Sequence, residues 1–110
     1  MKIAVIGSRN LRAINLENYI NDGDEIVSGG ARGADALGER YAKENGFKIE
    51  RYPAHWEKYG KSAGPKRNEQ MAKITDFVIC FWDKKSLGTK SMIGFAKEYN
   101  KPIRIKYIKV

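Results

Sequence analysis

Asp76-Phe77-Val78-Ile79-Cys80-Phe81-Trp82, DFVICFW, is the most apolar run of the chain. It is too short for a helix that must bury itself and is rich in β-branched and aromatic residues, so it reads as a strand covered on both faces. Residues 2–7, KIAVIG, form a second continuous apolar run that ends in glycine. The remaining strand-like runs are residues 25–28 (EIVS), residues 47–52 (FKIERY) and residues 103–110 (IRIKYIKV). The last two alternate apolar and polar residues, the pattern of strands that keep one face in water. Arg104, Lys106 and Lys109 would also discourage pairing along an exposed edge.

Helical spacing fills the gaps. Leu16, Tyr19 and Ile20 predict a helix stopped at Asp22-Gly23, and Ala34, Leu37 and Tyr41 predict one ended by Asn45-Gly46. Residues 53–65 read as a long polar connection. A helix follows over residues 66–75 with Met71 and Ile74 inward. Another holds Met92, Phe95, Ala96 and Tyr99, and is broken at Asn100-Lys101-Pro102. Strands alternating with helices predict an α/β fold, a Rossmann-like three-layer sandwich around a parallel sheet. Continuous runs belong in the centre and alternating runs at the edges. With right-handed crossovers the five strands then take the order 3-2-1-4-5. The chain is expected to form a single domain over residues 1–110.

That order creates a switch point between strands one and four, where ligands of open α/β sheets bind beyond the carboxyl ends of the strands. Three loops should converge there. The first is Gly7-Ser8-Arg9-Asn10, and the second is Ser28-Gly29-Gly30-Ala31-Arg32-Gly33-Ala34-Asp35. The third spans residues 83–90, DKKSLGTK. Each holds glycine, a hydroxyl and a cation. Glycine permits close backbone approach, free N–H groups at a helix start attract anions, and arginine presents a planar fork to phosphate. Candidate phosphate-binding residues are Gly7, Ser8, Arg9, Gly29, Gly30, Ala31, Arg32, Gly33, Arg67, Asn68, Ser86, Gly88 and Thr89. A Walker A loop is excluded, because Gly33 is followed by Ala34-Asp35 and not by Lys-Ser/Thr. The dinucleotide fingerprint fails too: Ser28 stands at its first glycine, and the run follows strand two.

Residues 53–71, PAHWEKYGKSAGPKRNEQM, place Trp56 and Tyr59 among Lys58, Lys61, Lys66 and Arg67. Aromatics beside cations can stack a base and hold its phosphates, or simply cap the core. Gly64-Pro65 reads as the residue pair before a helix, with Arg67-Asn68 in its first turn. A cation at that place opposes the helix dipole, which points to a nearby anion. Asp35 reads equally as a carboxylate favoured by the dipole and as a partner for a ribose hydroxyl or a loop amide. Asp35, Asp83 and Arg67 are the candidates for any catalytic role. His55, the one histidine, reads as a surface residue, and Cys80 reads as core. One histidine and one cysteine make a zinc site improbable, and no metal or cofactor is expected.

The chain has 110 residues and a net charge of +8, from 21 Lys+Arg against 13 Asp+Glu. That balance suits an anionic partner, either a nucleotide or a nucleic acid. No apolar run approaches the roughly 18 residues of a membrane span. With no signal peptide evident and a single cysteine, a cytoplasmic location is expected.

GSR after strand one, SGGARGAD after strand two, W-x-x-Y-G-K-x-A-G-P-x-R-N-x-x-M over residues 56–71 and FWD-x-x-S-x-G-T over residues 81–89 together resemble the SLOG superfamily. The match is to its small stand-alone YspA-like, YpsA-related branch. The resemblance implies a Rossmann-like domain for nucleotide-derived ligands. The superfamily includes Lonely Guy phosphoribohydrolases, DNA-processing protein A, which binds single-stranded DNA, and sensor domains of bacterial conflict systems. Gly29–Gly33 and Gly88-Thr89 match its phosphate-binding positions, and Arg67 matches its recurrent arginine. The phosphoribohydrolases carry P-G-G-x-G-T-x-x-E, however, and Met92 stands here at the glutamate. Three readings follow. The first is a binding module, of sensor type, for a nucleotide or ADP-ribose-like ligand. The second is an enzyme acting at an N-glycosidic bond, and the third is a nucleic-acid-binding protein. Pairing into a homo-oligomer is common among such domains, and no membrane partner is expected.

Overall fold

The computed structural model describes residues 1–8, 15–17, 19–30 and 33–108. Five strands, β1 (Lys2–Gly7), β2 (Glu25–Ser28), β3 (Lys48–Arg51), β4 (Phe77–Trp82) and β5 (Ile103–Tyr107), form one sheet. Its order is β3-β2-β1-β4-β5, and every neighbouring pair is parallel. β1 and β4 sit at the centre, in register from Ile3 opposite Phe77 to Gly7 opposite Phe81. The helices are α1 (Ala34–Asn45), the single turn α2 (Trp56–Tyr59), α3 (Ala63–Ile74) and α4 (Leu87–Glu98), with a 3-10 turn at Gly60–Ser62.

The two-residue period of the central strands sorts their side chains into two cores. Ala4, Ile6, Val78 and Cys80 face α3 and α4, where Met71, Ala72, Met92 and Ala96 complete the packing. Ile3, Val5, Ile79 and Phe81 face the other way, against Ala34 and Ala42 of α1 and against Leu16 and Ile20. Edge strand β5 alternates as the sequence predicts, with Arg104 and Lys106 exposed and Ile103 and Ile105 packed against the core; in β3, Ile49 and Glu50 are both half-buried.

Two local expectations are corrected. A helix on Leu16, Tyr19 and Ile20 is not found among the described residues; Tyr19 and Ile20 donate their N–H groups to the Leu16 carbonyl in a turn. The Asn15 side chain accepts the Glu17 N–H at 3.0 Å as an N-cap does, but the turn is not continued, since the Asn21 N–H goes to the Asp24 side chain at 2.8 Å. Leu16 and Ile20 are nonetheless buried. The second correction concerns Gly64-Pro65. These residues lie inside the first turn of α3, where an N–H has no intrahelical acceptor and proline removes nothing. Arg67 and Asn68 therefore stand one turn deeper than their sequence position suggested, and the inference of an anion from a cation at the helix start falls.

Gly7 shows why the end of β1 lacks a side chain. A Cβ there would lie 2.6 Å from the Phe81 carbonyl oxygen and 2.7 Å from the Ala34 Cβ. Gly7→Ala is expected to destabilise the fold by about 1–3 kcal/mol, read from urea unfolding midpoints.

Cys80 is fully buried in β4, and burial, reinforced by the negative charge of Asp35, pushes its thiol up to about 12. The native protein is expected to resist a thiol reagent at pH 8 until it unfolds. Because the folded state keeps this proton longer than the unfolded one, the Cys80 contribution is constant below about pH 9 and erodes stability between about pH 9 and 12.

Candidate functional site

A cleft of about 550 Å³ opens at the carboxyl ends of β1 and β4. Its floor is Ile6, Gly7 and Ser8, and Asp35 from the first turn of α1 forms one side. Arg67 and Asn68 of α3 form another. The segment after β4 closes it with Asp83, Lys85 and Ser86, followed by Leu87, Gly88 and Thr89 at the start of α4. Of the phosphate-binding residues expected from the sequence, Gly7, Ser8, Arg67, Asn68, Ser86, Gly88 and Thr89 therefore meet in one place, together with both candidate carboxylates.

A hydrogen-bonded chain ties the converging segments together. The Arg67 guanidinium donates from Nη1 to the Gly29 carbonyl at 2.6 Å and from Nε to Asn68 Oδ1 at 3.0 Å. Asn68 passes the link on, donating from Nδ2 to the Gly88 carbonyl at 3.2 Å. The loop after β2 is thus fastened to α3, and α3 to the first turn of α4. The loop after β1 is fastened separately: Ser8 donates its N–H to the Phe81 carbonyl at 3.1 Å, and its hydroxyl accepts the Asp83 N–H at 3.2 Å.

Gly29 makes the first link possible. A Cβ at residue 29 would sit 2.4 Å from Arg67 Nη1 and 2.8 Å from Cζ, so the guanidinium occupies the space a side chain would take. On the other side of the same residue, in the preceding peptide, Asp35 Oδ2 accepts the Gly29 N–H at 3.0 Å. Asp35 is buried, and of its two sequence readings the structure contains the loop-amide bond. Ser28 adds a further brace. Its hydroxyl accepts the Gly30 N–H at 3.0 Å and donates to Glu39 of α1 at 2.7 Å, while Arg51 of β3 donates to the other Glu39 oxygen. Gly30 and Gly33 take left-handed φ values of 75° and 79° and lie outside the cleft lining. Arg9, Ala31 and Arg32 lie outside the described residues.

Asp83 organises the entry to α4. Its Oδ1 accepts the N–H groups of Lys85 and Ser86, each at 2.8 Å, and these bonds hold its carboxyl below the usual carboxylate range, the Lys85 amide foremost. It is therefore ionised at neutral pH and fitted to accept hydrogen bonds or to stabilise positive charge. Ser86 caps α4, accepting the Thr89 N–H at 3.3 Å, with its hydroxyl 3.1 Å from that of the buried Thr89. Trp82 braces the same loop through its indole N–H, bonded to the Ser86 carbonyl at 3.1 Å. Sequence reasoning passed over Lys85 and this organising role of Asp83. The signal was present in D-K-K-S, an aspartate two and three residues ahead of amides that need an acceptor.

Trp56 and Tyr59 lie outside the lining of this cleft. Trp56 is 54% exposed, and its ring edge lies over Gly64 in the first turn of α3. Tyr59 lines a neighbouring hollow of which Arg67 is a shared wall. Met92, at the position of the phosphoribohydrolase glutamate, is fully buried in the core beneath α4 and does not reach the cleft. Among the described residues no group of three or more His, Cys, Asp or Glu side chains could hold a metal ion, and no helix is long and apolar enough to cross a membrane.

A family model described as the YspA, cpYpsA-related SLOG family matches residues 1–59. The chain belongs to that family. The match spans β1 to α2, and so includes Gly7, Ser8, the glycine-rich loop and Asp35; the residues that α3 and α4 bring to the cleft lie beyond it. The chain is also 36% identical over 84 residues to the Gene 61 protein of Mycobacterium phage D29, covering 71% of this chain and 67% of the relative. No solved structure matches the chain.

The clash that a Cβ at residue 29 would make with Arg67 defines a double-mutant cycle. Gly29→Ala is expected to cost about 1–3 kcal/mol in chemical denaturation. In an Arg67→Ala background, with no guanidinium to displace, the same substitution should cost at least about 1 kcal/mol less.

Proposed function

We propose that this SLOG-family protein binds a nucleotide or nucleotide derivative, of the ADP-ribose type, in the cleft between β1 and β4. The observation that carries this reading is the pairing of donors and acceptors on one wall-to-wall site. Arg67, Lys85 and the amino end of α4 supply positive charge for phosphate. Ser8, Ser86 and Thr89 add hydroxyls, and the carboxylates of Asp35 and Asp83 suit ribose hydroxyls. A purely cationic pocket would suit inorganic phosphate equally well; two carboxylates facing two cations favour a ligand that carries both hydroxyls and phosphate. The volume of about 550 Å³ falls in the range of small-molecule sites.

Asp83 also supports a second reading, cleavage or transfer at the ribosyl C1. Such chemistry needs a carboxylate beside the developing oxocarbenium ion, and Asp83 is held ionised at the cleft. Against it stands Met92, which removes the glutamate of the phosphoribohydrolases from the site. Nucleic-acid binding rests on the net charge of +8 alone and has no counterpart in the geometry of this cleft.

Calorimetric titration with AMP and ADP-ribose tests the first reading. Saturable binding that weakens by about tenfold or more in Arg67→Ala is the expected result. Absence of binding by both ligands to the wild-type protein would sink it. Release of ribose 5-phosphate during the same incubation, lost in Asp83→Asn, would establish the second reading.

A further inference from the structure

The hollow beside the cleft is lined by His55, Lys58, Tyr59, Lys66 and Arg67, together with Glu69, and encloses about 460 Å³. Two ammonium groups meet on one ring inside it. Lys58 Nζ lies 5.1 Å from the Tyr59 ring centroid and Lys66 Nζ lies 4.8 Å from it. Both distances are within reach of the ring quadrupole, so Tyr59 holds two ammonium groups beside one ring. Among the described residues neither lysine is in an ion pair. The one carboxylate of the hollow, Glu69, accepts the Tyr99 hydroxyl at 2.8 Å and is turned to that bond. Among the described residues of the lining, the two lysines thus meet one carboxylate, and it already accepts a hydrogen bond. Such a cluster is relieved by an anion. Because Arg67 lines this hollow as well as the cleft, the two are adjoining compartments.

We propose that the Lys58–Tyr59–Lys66 hollow is a second anion subsite, which takes the distal phosphoryl group of a ligand whose nucleoside monophosphate portion sits in the cleft. The ligand class is therefore a nucleoside diphosphate or its derivative, and the adjoining compartments discriminate it from a nucleoside monophosphate. This inference rests on the nucleotide reading of the cleft.

The experiment is calorimetry on the full chain with AMP, ADP and inorganic pyrophosphate, using wild type and the Lys58→Ala/Lys66→Ala double variant. Both lysines are exposed, and an unchanged circular-dichroism melt confirms that the variant folds. Wild type is expected to bind ADP about tenfold more tightly than AMP. The double variant should bring ADP down to the AMP level and leave AMP within about twofold of wild type. Equal binding of AMP and ADP by wild type overturns the subsite and leaves the nucleotide reading standing. Equal weakening of AMP and ADP in the double variant also overturns it, since the lysines would then act only as a diffuse field. Lysine-dependent binding of pyrophosphate with no binding of either nucleotide would support an anion subsite and sink the nucleotide reading. A single-stranded oligonucleotide bound more tightly than ADP, and released by the same two substitutions, would reassign the hollow to nucleic acid and overturn the proposal.

Discussion

The guanidinium of Arg67 lies where residue 29 would carry a side chain, and the geometry of the cleft depends on that exchange. Three segments far apart in sequence, the loop after β2, the second turn of α3 and the first turn of α4, are joined by the Gly29–Arg67–Asn68–Gly88 chain of hydrogen bonds. One of these links ties the β2 loop to α3 and another ties α3 to α4 through a side chain, so neither belongs to the backbone pattern of the sheet or the helices. They are charge-assisted or amide bonds at the end of the sheet, and they join one loop and two helical turns into one wall. Asp35 completes the arrangement from the opposite side by accepting the Gly29 N–H. The two peptide units that flank the Gly29 Cα are thereby held, one at its N–H by a carboxylate and the next at its carbonyl by a guanidinium. The glycine-rich loop is preorganised by its neighbours, and its own sequence supplies the freedom to be held there.

The central sheet was legible because burial on two faces leaves a continuous apolar run and burial on one leaves an alternating run. β1 and β4 read as central and β3 and β5 as edges for that reason, and the observed order agrees. Errors arose where local hydrogen bonds compete with periodicity. The turn begun at Leu16 stops after Ile20, where the Asp24 side chain takes the Asn21 N–H, although the apolar spacing there suits a helix. At Gly64-Pro65 the reverse occurred: residues taken as a break fit the first turn of α3, where the missing proline donor has no cost. The consequence reached the site, because it moved Arg67 from the helix start to its second turn. Its importance survives for a different reason, the bond to Gly29, which no spacing rule could reveal. The convergence of loops followed from topology alone. The partner of each polar group did not, because hydrogen bonds between loops carry no periodic signal.

The balance between holding a nucleotide and cutting it turns on how the carboxylates are employed. Asp35 is buried and bonded to the Gly29 amide, so withdrawing it for chemistry would loosen the loop that shapes the cleft. Asp83 is bound by two amides and kept ionised, which prevents it from serving as a general acid at neutral pH. The glutamate of the phosphoribohydrolase pattern is Met92 here, and its side chain fills the core. A glutamate introduced there would have to be desolvated beneath α4 or drag the helix start outward. The architecture therefore has its carboxylates committed to shaping the site, with Asp83 alone left to act electrostatically on a ligand of the proposed kind. That distribution of roles is what a binding module requires, and an enzyme built on the same frame would have to work through one fixed anion.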